Sequence, residues 1–87
     1  MRALQSRATP EFWEHYQTLP LAVRLAADKQ FQLFAQNPGH PSLKFKRVGE
    51  LWSVRVTEGY RALAIQNSDT LYWFWIGSHD DYELLLR

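Results

Sequence analysis

The sequence contains no cysteine. Disulfide bonds, thiolate catalysis and cysteine-ligated zinc are therefore excluded, and a reducing compartment fits the composition. No apolar run reaches the roughly 18–20 residues that span a bilayer. The first residues also lack the apolar stretch of a signal peptide. We therefore predict a cytoplasmic protein with no membrane association.

Several catalytic motifs are missing as well. The chain has no Gly-rich phosphate loop and no HExxH helix. A Ser-His-Asp triad can be drawn only from Ser78, His79 and Asp80, and such adjacent side chains do not converge. A metal site has little support, because its candidate ligands have no recognised spacing. Those candidate ligands are His79, Asp80 and Asp81, with His15 or His40. We expect no metal and no cofactor.

What the chain does contain is enough apolar surface for one core. Of its 87 residues, 46% are hydrophobic and 15% aromatic, which predicts a single folded domain spanning residues 1–87. The formal net charge of +1 hides an uneven distribution. Residues 43–67 hold five cations against two carboxylates, whereas residues 68–87 hold one cation against four. The basic middle segment is a candidate phosphate-binding region, and a solvated strand face explains it equally well.

Two helices are predicted in the first half. Thr9-Pro10-Glu11 has an N-cap hydroxyl, a proline at the first helical position and an acid in the first turn. Pro20 ends that helix and opens a second, which should run from about Leu21 to Gln36 and stop at Asn37-Pro38. Each helix carries an apolar stripe at helical spacing. The stripes are Phe12, Tyr16 and Leu19, then Val23, Ala27, Phe31 and Phe34, widened by Ala26 and Leu33.

From Leu43 the apolar period changes to two, which predicts strands. The predicted strands are LKFKRV, LWSVRVT, YRALAIQ and LYWFWIG, with turns at Glu58-Gly59 and Asn67-Ser68-Asp69. A weak alternation over Arg2–Arg7 indicates a further edge strand, and DYELLL a final helical turn. The predicted fold is α+β, with two N-terminal helices packed on one face of a four- to five-stranded, mainly antiparallel sheet.

The last strand is apolar on both sides, so we predict that it is central. Regular alternation places Tyr72, Phe74 and Ile76 on one side and Trp73 and Trp75 on the other. If the helices cover only one face, the two tryptophans form an exposed patch that binds a partner. Shielding by the N-terminal segment and neighbouring strands is the alternative.

The basic residues and His79 suggest a chemistry. Cleaving RNA internally requires a base for the 2′-hydroxyl, positive charge on the phosphate and an acid for the 5′-oxygen. Histidine and arginine supply these functions. A two-residue turn at Glu58-Gly59 would, however, pair Arg55 with Ala62 and Arg61 with Val56. The two arginines would then lie on opposite faces unless a bulge changes the register.

In element order and length the chain resembles the RelE/ParE superfamily of bacterial type II toxins. HPSLKFKRV, WSVRVTEGYRALA and WFWIGSHDDYELLL carry the resemblance, together with the spacing of Arg55 and Arg61 across a turn. The resemblance implies a toxin that is neutralised by a cognate antitoxin wrapped around it. RelE-like members cut mRNA on the ribosome without metal, by 2′-hydroxyl attack. ParE-like members share the fold but inhibit DNA gyrase.

The resemblance also implies roles for individual residues. Arg61 matches a phosphate-binding arginine, His79 a C-terminal catalytic histidine or arginine, and Tyr82 a nearby tyrosine that stacks on the substrate. The implied RNA-binding set comes from the basic segment, and His40 lies near the position of an acid–base residue. That set is Lys44, Lys46, Arg47, Arg55 and His40.

Two departures from the family pattern leave the enzyme assignment open. The glutamate base of some RelE-like nucleases has no clear match, because Pro41 or Ser42 stands about there. Asp80 and Asp81 place negative charge beside His79. The leading prediction is a ribosome-dependent mRNA endoribonuclease. The alternatives are a gyrase-directed or protein-binding toxin without nuclease activity, and an inactive homologue that still binds antitoxin.

Overall fold

The computed structural model describes residues 5–87. Within that range the chain forms three α-helices, five β-strands and one 3₁₀ turn at Pro41–Leu43. The elements in chain order are β1 (Gln5–Ala8), α1 (Pro10–Gln17), α2 (Leu21–Gln36), β2 (Lys46–Val48), β3 (Leu51–Thr57), β4 (Tyr60–Asn67), β5 (Thr70–Ser78) and α3 (His79–Leu85). No helix in residues 5–87 is long and apolar enough to cross a membrane.

The strands form one sheet in the order β1-β5-β4-β3-β2. Strands β2 to β5 pair antiparallel with their neighbours, whereas β1 runs parallel to β5. The predicted α+β fold is confirmed, with a third helix added at the C-terminal end. The edge strand predicted over Arg2–Arg7 is present in its described part, and residues 2–4 lie outside the described residues. β5 lies inside the sheet, but the middle strand is β4 rather than β5.

The helices begin and end where their caps predict. The Thr9 hydroxyl accepts a hydrogen bond from the Phe12 amide at 3.3 Å, at the start of α1. Pro20 directly precedes α2, which spans the predicted Leu21–Gln36, and Asn37 follows its last residue. Local sequence signals were sufficient here because each boundary is set by the residues next to it.

The Thr9 hydroxyl also links α1 to the sheet, so a substitution at Thr9 tests both the cap and this link. Its Oγ1 donates to the Trp73 carbonyl at 2.9 Å. We expect Thr9→Ala to lower the free energy of unfolding by about 1–2 kcal/mol, because it removes the cap and one of the two hydrogen bonds that the Trp73 carbonyl accepts. Thr9→Ser keeps the hydroxyl and is the control. Equal denaturant midpoints for the two variants would contradict this role.

The helices are joined to each other by a side-chain hydrogen bond. Tyr16 on α1 donates its hydroxyl to Asp28 Oδ1 on α2 at 2.8 Å. Burial raises the pKa of the Tyr16 phenol above its ordinary value, and the hydrogen bond and charge of Asp28 act in the same direction. The phenol therefore stays protonated, and able to donate, through the physiological pH range.

The segment LKFKRV is not the regular strand that its alternation predicted. Leu43 ends the 3₁₀ turn, and Lys44 has left-handed backbone angles (φ 45°, ψ 43°). Only Lys46–Val48 pairs with β3. The prediction that Lys44 and Lys46 share a strand face is therefore wrong, because Lys44 lies in the loop before the strand.

The sheet has two differently covered sides. We call the side covered by α1 and α2 the helix face, and its buried strand residues include Val54, Ala62 and Leu71. The other side, which we call the second face, holds a smaller cluster of Leu63, Trp75 and Tyr82. Tyr82 belongs to α3, so the third helix folds back over part of the second face.

The exposed tryptophan patch predicted on the last strand is wrong. Trp73 and Trp75 are only 2% and 8% exposed. The register between β4 and β5 shifts by one residue at Phe74, so Trp73 lies opposite Ala64 and Trp75 opposite Leu63. This bulge places Trp73 on the helix face and Trp75 on the second face. Their assignment to partner binding has no support from the structure.

Candidate functional site

A bulge in β3 brings the two candidate arginines together. The register between β3 and β4 shifts at Val56, so that Arg55 lies opposite Arg61 while Thr57 lies opposite Tyr60. The turn has the two residues predicted, but the predicted pairing of Arg55 with Ala62 is wrong. Because facing partners share a side of the sheet, both arginines lie on the second face. We call Arg55 and Arg61 the arginine pair.

The Arg61 guanidinium is held against the β3–β4 turn. Its Nη1 donates to the carbonyls of Thr57 at 2.6 Å, Tyr60 at 2.9 Å and Glu58 at 3.1 Å. No residue in the described range hydrogen-bonds its Nε or Nη2. That edge of the guanidinium is the one that binds a phosphate through two parallel hydrogen bonds. The turn therefore fixes a phosphate-binding edge in place.

His79 lies at the same end of the sheet. Ser78, the cap of α3, pairs with Tyr60 in β4, and the His79 amide donates to the Gly59 carbonyl at 2.8 Å. These bonds fix His79 next to the turn that holds Arg61. Arg61 and His79 therefore lie near two strand ends that hydrogen-bond to each other.

Gly77 is constrained by packing against Trp75. It lies within β5, opposite Arg61. A Cβ on residue 77 would come within 2.5 Å of Trp75 Cζ2, so the ring occupies the space of a side chain. Residue 77 must therefore be glycine, because the Trp75 ring packs directly over its Cα, two residues before His79.

The His79 ring is positioned by two residues of α3. Its Nε2 lies 3.3 Å from Glu83 Oε1, one helical turn away, and its ring centroid lies 5.7 Å from that of Tyr82. The His79 side chain remains 40% exposed, so substrate can reach it. Glu83 was not among the predicted site residues, although its i+4 spacing from His79 on a helix would have indicated it.

Tyr82 does not present its ring to a substrate. The residue is 5% exposed and packs with Leu63 and Trp75. The prediction that it stacks on a base is corrected accordingly, because a base cannot reach a ring enclosed on the sheet. Tyr82 instead anchors α3 and supports the His79 ring.

The residues of the triad that the sequence disfavoured have other roles. Ser78 Oγ accepts a hydrogen bond from the Asp81 amide at 3.2 Å, so it caps α3 and does not face a histidine. Asp80 and Asp81 occupy the first turn of that helix, where acidic side chains are favoured. Within residues 5–87, no group of three histidine or acidic side chains is placed to hold a metal ion.

The predicted RNA-binding residues are divided between surfaces. Lys46 pairs with Ser53 and therefore lies on the second face with the arginine pair. Arg47 points to the other side, where its guanidinium lies 5.5 Å from the Trp52 ring centroid. Lys44 is exposed in the loop. His40 caps the 3₁₀ turn, where its Nδ1 accepts from the Ser42 amide at 3.1 Å.

This arrangement has the composition of a phosphate-binding site with one group for proton transfer. In the comparison with known proteins, a family model described as a ParE-like toxin domain matches residues 21–84. The chain belongs to the ParE-like toxin domain family. The predicted membership of the RelE/ParE superfamily is thereby confirmed. A search of curated protein sequences gave no significant match.

Solved structures of ParE-like and RelE-like toxins share the fold over nearly their full lengths. The RelB–RelE complex of Methanococcus jannaschii matches with a TM-score of 0.72 and 12% identity, covering 92% of this chain and 98% of that one. A free Escherichia coli RelE mutant matches with a TM-score of 0.66 and 14% identity, covering 97% of this chain and 92% of that one. The YoeB/ParE toxin of Agrobacterium tumefaciens matches with a TM-score of 0.65 and 15% identity, covering 87% of this chain and 99% of that one. At these identities the likeness establishes the fold.

Proposed function

We propose that this ParE-like chain is the toxin of a toxin–antitoxin pair and acts as an endoribonuclease on ribosome-bound mRNA. Structures of the same fold were solved as RelB–RelE antitoxin–toxin complexes, which supports an antitoxin partner here. The second face, with its cations, is the surface that such an antitoxin would cover. The proposed toxin requires no metal.

The observation that carries the proposal is the shared face of the arginine pair. Arg55 and Arg61 are brought opposite each other by the Val56 bulge, with Lys46 on the same face and His79 at the adjacent strand end. A regular hairpin would have separated the arginines. Positive charge converging beside an accessible imidazole supplies the phosphate stabilisation and one of the two proton transfers that metal-free RNA cleavage requires.

Each residue has a definite role in the proposed reaction. The 2′-hydroxyl oxygen attacks the adjacent phosphorus, and the bond from phosphorus to the 5′-oxygen breaks. The free edge of Arg61 binds the non-bridging oxygens, whose negative charge grows in the transition state. His79 either accepts the proton of the attacking 2′-hydroxyl or donates the proton that the departing 5′-oxygen takes up, with solvent water serving the other transfer, and Glu83 holds its ring in orientation. Lys46 and Arg55 bind flanking phosphates.

Gyrase inhibition is the second candidate, and two observations favour it. Carboxylates of Asp80, Asp81 and Glu83 surround His79 and weaken the attraction for RNA phosphate. The buried Tyr82 ring also removes a group that the nuclease prediction had used. A non-nuclease toxin of the same fold needs neither an accessible tyrosine nor a catalytic histidine.

The proposal is tested by inducing the toxin in cells and mapping mRNA 5′ ends. The wild type should produce new ends in translated regions, and His79→Gln should lower their yield by about 10²–10⁴-fold, because it removes the proton-transfer group. His15→Gln is the matched control, since His15 is an exposed histidine on α1. If the wild type and His15→Gln arrest growth but produce no new 5′ ends, the nuclease assignment is rejected.

A further inference from the structure

A basic cleft lies beside the proposed site, between α2 and the edge of β3. Its volume is about 210 Å³. Its described lining residues include no carboxylate, and Lys29 is the cation on this side, since the Arg55 side chain lies on the second face. The polar lining residues are Lys29, Gln30, Ser42, Arg55 and Thr57. Lys29 was not singled out by any motif in the sequence.

The cleft is a built feature of the fold, held by the side chain of Gln30. Its Nε2 donates to the Arg55 carbonyl at 3.0 Å and contacts the Ser42 carbonyl at 3.5 Å. The Arg55 carbonyl is accessible because β2 pairs with β3 only as far as Ser53. Gln30 thus joins α2, β3 and the loop before β2, and fixes the distance between the two walls of the cleft.

The cleft is continuous with the Arg61 site through Thr57. The Thr57 carbonyl accepts the 2.6 Å hydrogen bond from Arg61, and the same residue lines the cleft. Its hydroxyl accepts from the Gly59 amide at 3.2 Å, which leaves the hydroxyl proton free to donate. A nucleic-acid strand whose phosphate lies on Arg61 therefore has a path over Thr57 into the cleft.

We propose that this cleft binds a second backbone phosphate of the RNA substrate, with Lys29 as its principal cation. The proposal rests on the proposed function and extends its substrate contact from the second face to α2. The Lys29 ammonium and the Thr57 hydroxyl donate to the phosphate oxygens, while the Arg55 side chain stays on the second face with Arg61. Such contacts position the strand without reading its sequence.

The test is the salt dependence of binding to a labelled single-stranded RNA, measured by fluorescence anisotropy in a His79→Gln background that prevents cleavage. Lys29→Gln should reduce the slope of log Kobs against log salt by about 0.7, and should weaken binding about fivefold at 0.1 M salt. Lys29→Arg should restore both. Arg7→Gln removes the same charge at β1, on the opposite edge of the sheet, and should change the slope little.

The outcomes separate this proposal from the proposed function. Equal slopes for Lys29→Gln and Arg7→Gln, or no RNA binding by the background protein, would overturn the cleft assignment, whatever the cleavage assay shows. A slope change specific to Lys29→Gln supports the cleft even when the wild type cuts no mRNA, in which case only the nuclease assignment fails. Lys29 is exposed, so matching melting temperatures should confirm that folding is unaffected.

Discussion

Replacing Arg61 by glutamine should lower the rate of mRNA cleavage by about 10²–10³-fold, the usual effect of removing one preorganised donor from a transition state. The expectation follows from the guanidinium geometry. Three turn carbonyls hold Nη1, so the opposite edge is already oriented when the phosphate arrives. Glutamine keeps a polar side chain but loses both the charge and the two-pronged edge.

Arg61→Lys separates charge from geometry. Lysine retains the cation but cannot bind a phosphate through two parallel hydrogen bonds, so we expect only partial recovery of the rate. Because Arg61 also bonds the turn, each variant should be compared at matched folded fraction, checked by thermal melting. Wild-type cleavage rates in Arg61→Gln would show that this residue serves the turn alone.

Trp73→Ala should lower the free energy of unfolding by about 3–5 kcal/mol, which approaches the whole stability of many small domains. Trp73 is 2% exposed, and its ring lies edge-on to Phe31 and Phe34 at centroid distances of 5.3 and 5.6 Å. Its Nε1 also donates to Ser6 Oγ at 2.6 Å, which ties β1 to the sheet. Truncation would leave a cavity between both helices and β5.

The matched control is Trp13→Ala, because Trp13 is 47% exposed on α1. We expect Trp13→Ala to lower the free energy of unfolding by about 1 kcal/mol or less, as surface substitutions usually do. Melting temperatures should therefore fall by more than about 10 °C for Trp73→Ala and by only a few degrees for Trp13→Ala. Similar shifts for the two would contradict the bulged register, which alone places Trp73 on the helix face.

The elements predicted correctly are those whose signals are local. The caps at Thr9 and Pro20 set the helix boundaries, and the two-residue turn at Glu58-Gly59 formed as predicted. These features depend on backbone preferences of a few adjacent residues.

The features missed depend on pairing between strands. YRALAIQ and LYWFWIG are apolar on both faces, so alternation could not show where a bulge shifts the register. The bulge at Val56 joined the arginine pair, and the one at Phe74 separated the two tryptophans.

Lys44 and the basic cleft were missed for another reason. The alternation of LKFKRV fits a strand, but the chain at Lys44 adopts left-handed angles after the 3₁₀ turn. The cleft joins Lys29 on α2 to Arg55 on β3, and no sequence pattern reports how a helix sits against a strand edge. Tertiary packing determines both the conformation of the chain at Lys44 and the position of the cleft.

The most direct measurement is primer extension on a defined mRNA bound to purified ribosomes, with a DNA gyrase supercoiling assay on the same protein preparation. The account predicts new 5′ ends with the wild type, loss of those ends with His79→Gln and Arg61→Gln, and unchanged supercoiling. Inhibition of supercoiling by the wild type, with no new 5′ ends on the mRNA, would contradict it and favour the gyrase-directed alternative.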